Sequence, residues 1–288
     1  MNIDKIFDLH YKKLILIPLI ILVISLLLIL SNVSKTGEIV DRDVSLKGGI
    51  SLTLQKDNLD PIEMENFLKQ KFTDISVRGL ADFTTQKNIG LIIEVSDITS
   101  DELKQAIREK IPFKENEISI EETGASLGES FFKDLLTALI IAFVLMAIII
   151  FITFRTLVPS VAVILAAVTD IVVTLAIINL LGVRISSAGI VAFLLILGYS
   201  IDTDILLTTR MIKRRQGTLI ERMKGAMKTG LTMTSTTIVA LTLAFFATNS
   251  PVLKQMFMII VIALIVDIIV TYLANAPILI WHARRKGL

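Results

Sequence analysis

The chain has 288 residues, 53% of them hydrophobic, with a mean hydropathy of +0.75, which excludes an ordinary water-soluble domain and indicates an integral membrane protein. A net charge of +2 with no single basic face excludes nucleic acid as a partner. No cysteine is present, so disulfides and thiolate metal sites are excluded, and two histidines near opposite chain ends (His10 and His282) leave a histidine-rich metal site unexpected.

Lys5, Lys12 and Lys13 precede an apolar run over residues 14–30. The run is longer than the apolar core of a cleavable signal, and Ser31 to Ser34 make a poor cleavage sequence, so it reads as a retained first span. A polar region follows. Residues 43–55 alternate apolar and polar around Gly48-Gly49, as a strand with a bulge or bend does. Asp60-Pro61-Ile62-Glu63 combines an N-cap, a proline at the first helical position and an early acid, opening a helix to Phe72. Residues 75–84 and 89–96 read as strands joined by a polar turn containing Gln86-Lys87-Asn88. Thr99 to Glu102 form a capping box for a helix to Ile111, and residues 118–122 read as a last strand. The order β-α-β-β-α-β predicts an α+β ferredoxin-like outer domain with no chemistry of its own.

Gly124 and Gly128 suit a tight re-entry into the bilayer, with Lys133 and Asp134 at its surface. Five more apolar runs follow, at 135–154, 158–181, 189–209, 231–248 and 255–280, each long enough to cross. The expected organisation is a cytoplasmic N-terminus and first span (1–34), an outer domain (35–133) and a five-helix bundle (134–288) with a cytoplasmic loop at 210–230 and a basic tail. The excess of Lys and Arg at both termini and in that loop, from Arg210 onward, makes those segments cytoplasmic.

Four acids lie within these runs: Asp170, Asp202, Asp204 and Asp267. An Asp at the centre of a span costs about 2.5–3.5 kcal/mol, so each needs an explanation. At about 1.5 Å per residue, Asp170 lies roughly 16 Å, Asp202 roughly 12 Å and Asp267 roughly 20 Å from the nearest end. Asp170, Asp202 and Asp267, from spans three, four and six, are therefore expected in one layer. Asp204 is expected nearer the water interface. It stands about 200° around the helix from Asp202, so the two cannot share a face, and one of them faces a neighbouring helix or a partner protein. No Lys or Arg lies at matching depth. The acids must be protonated, solvated, hydrogen-bonded or paired with another chain. Span five supplies hydroxyls in Thr234, Ser235 and Thr237, and span three Thr174. The set reads as a proton relay; the bland alternative is polar glue between helices.

These residues carry a resemblance. Asp43 with Gly48-Gly49, Gly124 to Glu129 with Gly128, Phe154-Arg155 followed by Thr169-Asp170 and Thr174, Gly198-Tyr199-Ser200 with Asp202 and Asp204, and Thr234 to Thr237 resemble motifs of the SecD/SecF family, on its SecF side and in an archaeal form. At the family's Asn this chain has Asp202, with Thr203 next to it, closer to the SecD version of the motif. The resemblance implies a polytopic α-helical membrane protein of six spans, half of an RND-type transporter. It implies pairing with SecD, association with the SecYE translocon, exported polypeptide as the substrate, and use of the proton gradient without ATP or another cofactor. The competing readings are a half-size RND transporter of small molecules or lipids, a non-transporting membrane scaffold and, distantly, a membrane hydrolase.

Overall fold

The computed structural model describes residues 7, 11–81, 88–96, 98–214, 216–248 and 250–287. The turn expected at Gln86-Lys87, the end of the strand at 82–84, Lys5 and His10 lie outside the described residues. The first span combines α1 (Tyr11–Leu14) and α2 (Leu16–Thr36) and ends at Gly37, whose φ of 75° lets its N–H reach the Val33 carbonyl.

The polar region is a folded α+β unit. It contains α3 (Val44–Lys47), β1 (Gly49–Leu54), α4 (Pro61–Leu68), β2 (Ile75–Ala81), β3 (Asn88–Val95), α5 (Ser100–Lys110) and β4 (Ile118–Thr123). The strands form one antiparallel sheet in the order β2-β3-β1-β4. Alternation along β1 turns Ile50, Leu52 and Leu54 into the core and Ser51 and Thr53 outward. Leu68 from α4 and Leu103 and Ile107 from α5 close over the sheet, fully buried against Leu91 and Ile93. Each such side chain stabilises the unit by about 1.5–3 kcal/mol. Both helix starts form as their sequences predict: Asp60 accepts from the Ile62 and Glu63 N–H groups, and Thr99 and Glu102 complete a reciprocal capping box.

Four boundaries differ from the sequence expectation, the first being that α4, expected to run to Phe72, ends at Leu68. Residues 43–55 are not one strand: Asp43 takes the Ser45 N–H and starts the helical turn α3, and the strand begins only at Gly49. The second spanning helix, α6 (Ala125–Phe154), starts directly after β4 and has 30 residues, about 45 Å, so Lys133 and Asp134 are inside it rather than before it. Most of the loop expected at 210–230 is helical. Helix α8 (Ser187–Thr208) continues into a wide π turn at Thr209–Lys213, and the Thr218–Glu221 capping box starts α9 (Leu219–Ala247) early.

The remaining spans are α7 (Leu157–Leu180) and a last span made of α10 (Pro251–Val270), a second π turn (Thr271–Asn275) and α11 (Ala276–Lys286). The six spans form one bundle. In α7, α8 and the last span 50–56% of the central window is buried inside the protein, against 11% in α2, α6 and α9. The first three are therefore the bundle's centre, and the others present apolar side chains such as Leu27, Ile140 and Val239 outward.

Candidate functional site

The central helices meet at a set of buried polar groups. Asp170 on α7, Asp204 on α8 and Asp267 on α10 are all essentially inaccessible to solvent. On α8, Ser200, Thr203, Asp204, Leu207 and Thr208 recur at helical spacing and share the inward face. The Ser200 hydroxyl donates to Asp170 Oδ2 at 2.6 Å. The Thr203 hydroxyl donates both to the Ser200 carbonyl at 2.8 Å and to Asp267 Oδ2 at 3.2 Å. Asp170 and Asp267 are thereby joined through Ser200 and Thr203 on α8. Thr271 Oγ1 lies 3.0 Å from Asp204 Oδ1 and 3.1 Å from Asp267 Oδ1. A hydroxyl has one hydrogen, so it donates to one carboxyl and accepts from the other when that one is protonated. Asn275 Nδ2 donates to Asp204 Oδ1 at 2.7 Å. The three carboxyls thus belong to one connected polar chain across three helices, Asp170 to Asp267 by way of Ser200 and Thr203, and Asp267 to Asp204 by way of Thr271. Among the described residues no Lys or Arg forms a salt bridge with it, and Asp170 Oδ1, Asp204 Oδ2 and Asn275 Oδ1 remain as unpartnered acceptors.

The expected layer of acids therefore includes Asp204 in the place given to Asp202. Asp202 is exposed on the opposite face of α8, which follows from the angle of about 200° between the two positions. Along the helix from Ser187 to Lys213, Asp204 is within about 6 Å of the midpoint. Thr174 is buried one turn beyond Asp170 without a partner. Of the expected hydroxyls on α9, Thr234 is buried, Ser235 is exposed, and Thr237 donates to the Met233 carbonyl of its own helix; none bonds to the chain. Sequence reasoning missed Thr203, Thr271 and Asn275. The last two are one and two turns beyond Asp267 on an otherwise apolar run, and that spacing was the available signal.

Comparison with known proteins bears on this arrangement. Residues 102–285 match the family described as protein export membrane protein SecD/SecF, C-terminal. The SecF of Pyrococcus furiosus is 33% identical over 280 residues, spanning 96% of this chain and 93% of the relative. The chain belongs to the SecF family of protein-export membrane proteins. The SecF of Methanothermobacter thermautotrophicus is 36% identical over 289 residues, spanning 97% and 95%. The crystal structure of SecDF, a translocon-associated membrane protein from Thermus thermophilus, has the same fold, with a TM-score of 0.73 at 18% identity over 96% of this chain. The SecF-family chain spans only 38% of that longer SecDF chain. It is a multi-pass membrane protein and an accessory subunit of Sec protein export.

Of the other positions that carried the resemblance, Asp43, Gly48, Gly49 and Gly128 lie at a joint between the polar domain and the bundle. Asp43 accepts from the Ser45 N–H at 2.9 Å and hydroxyl at 2.6 Å, and Ser45 Oγ accepts the Ser187 N–H that opens α8. The Asp43 and Ile185 backbones pair, with the Ile185 N–H on the Asp41 carbonyl at 2.7 Å and the Asp43 N–H on the Ile185 carbonyl at 3.0 Å. Burial, aided by nearby Glu94 and opposed by the Ser45 bonds and Arg78, pushes the Asp43 carboxyl up to about 6. Gln255 on α10 accepts from the Ser186 N–H at 3.0 Å and from its hydroxyl, and donates to the Arg184 carbonyl. Arg184 pairs with Asp74 of the polar domain at 2.9 Å. Gly48, with φ 86°, lies against the backbone of Ala125, and a Cβ on Gly128 would come within 2.7 Å of the Gly48 nitrogen. Gly49 has φ 128° against Val95. Glu129 pairs with Lys133 on the exposed face of α6. At the far end of the bundle Arg210 donates to the Gly225 carbonyl at 2.6 Å, tying the first π turn to α9. Gly198 and Tyr199 face outward beside Asp202.

Proposed function

We propose that this SecF-family chain pairs with SecD and moves protons through the Asp170–Asp267–Thr271–Asp204 chain to drive export of polypeptide at the SecYE translocon. The observation that carries this reading is the carboxyl chain itself: three buried acids on three spans, linked through Ser200, Thr203 and Thr271 and free of salt bridges among the described residues. A buried protonated carboxyl gains a charge when its proton leaves. In a medium of low dielectric the helices holding it must then readjust. Two of these helices, α8 and α10, are held at their domain ends by Ser186, Ser187 and Gln255, so a shift at the acids reaches the polar domain.

The chain's architecture in the complex follows from the same reading. Both termini are cytoplasmic, because Lys12, Lys13, Arg222, Lys224, Lys228, Arg284, Arg285 and Lys286 cluster on that side. The polar domain lies outside and is ferredoxin-like, supported by its element order and by the sheet order β2-β3-β1-β4. The six spans are half of an RND-type transporter, with SecD as the other half. This is supported by the share of the solved SecDF chain that this chain leaves uncovered.

The test is export of a secreted reporter in cells carrying Asp267→Asn, Asp204→Asn or Asp170→Asn at matched SecF levels, with SecD co-purification scored alongside. Loss of gradient-dependent export with the SecD complex intact supports the relay. Unchanged export, or loss that tracks loss of the complex, makes the acids structural and overturns it.

A further inference from the structure

Helix α9 carries none of the acids and is mostly peripheral, yet one narrow stripe of it turns inward. Met223, Ala226, Gly230 and Thr234 recur every three or four residues and are its buried positions. Met223 packs into an apolar cluster with Leu207, Met211 and Leu279. Gly230 meets polar neighbours instead. A Cβ built on it would overlap the Tyr272 hydroxyl oxygen and stand 3.9 Å from the Thr203 methyl carbon. Gly230 has no positive φ that would call for glycine, and inside a helix glycine is destabilising relative to alanine. What distinguishes the position is the notch it leaves.

Tyr272 fills that notch. It is buried, it belongs to the π turn at Thr271–Asn275, and its hydroxyl donates to the Met227 carbonyl of α9 at 3.4 Å. Both residues that face Gly230 lie on the elements that carry the carboxyl chain. Thr203 donates to Asp267. Tyr272 follows Thr271, which bridges Asp204 and Asp267, and precedes Asn275, which donates to Asp204. A π turn is a rare geometry inside a helix, and the packing around it must hold it. Thr271 and Asn275 reach from the turn toward Asp204 on α8, and Tyr272 reaches the other way, into α9.

We propose that Tyr272, seated in the notch at Gly230, is a positioning residue of the proton route: it holds the π turn so that Thr271 and Asn275 stay on Asp204. The proposal rests on the relay reading of the carboxyl chain, and it assigns what fixes the geometry of that chain. Through this one contact α9 bears on acids that it does not itself touch. The contact turns on a single oxygen atom. A Cβ at position 230 would stand 3.7 Å from Tyr272 Cζ, an ordinary contact. Alanine at 230 is therefore incompatible with tyrosine at 272 and compatible with phenylalanine there.

The test is proton influx, under an imposed gradient, into liposomes that hold the complex of this chain with SecD, with SecD recovery scored for every variant. Gly230→Ala is expected to slow influx about tenfold, as overpacking against a fixed neighbour does. Tyr272→Phe alone slows it about threefold or less, the size of one weak hydrogen bond. Gly230→Ala combined with Tyr272→Phe returns to the Tyr272→Phe rate. Tyr272→Ala, which empties the notch without a clash, slows influx as Gly230→Ala does. Gly225→Ala, whose Cβ would meet only Arg210 at 3.7 Å, is the control on the same helix and keeps the wild-type rate. Wild-type influx in Gly230→Ala or Tyr272→Ala overturns the proposal. So does a combined variant as slow as Gly230→Ala alone, or a loss of influx that only tracks loss of SecD. If Gly230→Ala does not assemble, its rescue by Tyr272→Phe tests the contact and Tyr272→Ala tests the positioning. Wild-type influx in Asp204→Asn makes the relay reading itself fail, a result distinct from failure of the Tyr272 contact.

Discussion

Thr271 shows how much rests on one hydroxyl. Among the described residues it alone bridges Asp204 and Asp267. Thr271→Val keeps the shape and removes the bridge, leaving buried carboxyl oxygens one partner short, at about 1–3 kcal/mol. The expected outcome is a lower midpoint of thermal unfolding in detergent and loss of gradient-dependent export, while Thr271→Ser retains both. Asp43 offers a second test at this scale. Its carboxyl titrates near 6 in the folded joint, above the ordinary aspartate value of 3.8, so between those pH values the folded state binds more protons than the unfolded one. Stability then rises as pH falls from about 6 toward 4, in total by on the order of 2–3 kcal/mol. Asp43→Asn, which still caps α3 through its side-chain oxygen, removes this slope. Melting curves at pH 5 and pH 7.5 measure it, and equal slopes in the two proteins would rule the assignment out.

Among elements, the crossing of α3 over the start of α6 depends on glycine at defined positions. Gly128→Ala places a methyl group against the Gly48 backbone, which cannot yield as a flexible side chain would, and overpacking of this kind costs about 1–3 kcal/mol. Gly124→Ala, with φ −64° and open space around it, is expected to be neutral. Unfolding midpoints of the two variants, compared with the wild type, separate a packed crossing from a plain linker. At this scale the sequence was readable where a local rule suffices. Spans follow from runs of apolar residues, and the caps at Asp60 and Thr99 from side chains beside their own backbone. The helical turn at Val44 was hidden because an alternating pattern is shared by a strand and by a capped turn followed by a strand. The choice between Asp202 and Asp204 could not be made from depth. It depended on which face of α8 meets α7 and α10, and inward neighbours such as Ser200 and Thr203 give that only when the helix is seen packed. The π turn that brings Asn275 to Asp204 has no signature in residue type.

For the whole molecule, the polar domain meets the bundle at the loop around Arg184 and at the crossing of α3 with α6. The Arg184–Asp74 pair is partly exposed and contributes about 1 kcal/mol or less to stability. Its effect belongs to orientation: Arg184→Asp or Asp74→Arg alone is expected to broaden the distance distribution between spin labels on the polar domain and on α8, and the double exchange to restore it, with unfolding midpoints nearly unchanged. Gln255→Leu acts at the other side of the same loop. It leaves the Ser186 N–H and the Arg184 carbonyl without their partner, and it is expected to lower both stability and export while SecD still co-purifies.

The wide turn at Thr271–Asn275 also sets a phase. An α-helix advances about 100° per residue, so removing one residue from this stretch and closing it to α geometry would rotate everything beyond it by nearly a third of a revolution. Ala276, Leu279, Ile280 and Ala283, now fully enclosed, would swing toward the surface, and the exposed Trp281 would turn inward. The last span thus reads like a two-part key whose halves are cut out of step. A single deletion there should be far more damaging than the same deletion in the exposed segment at 216–218.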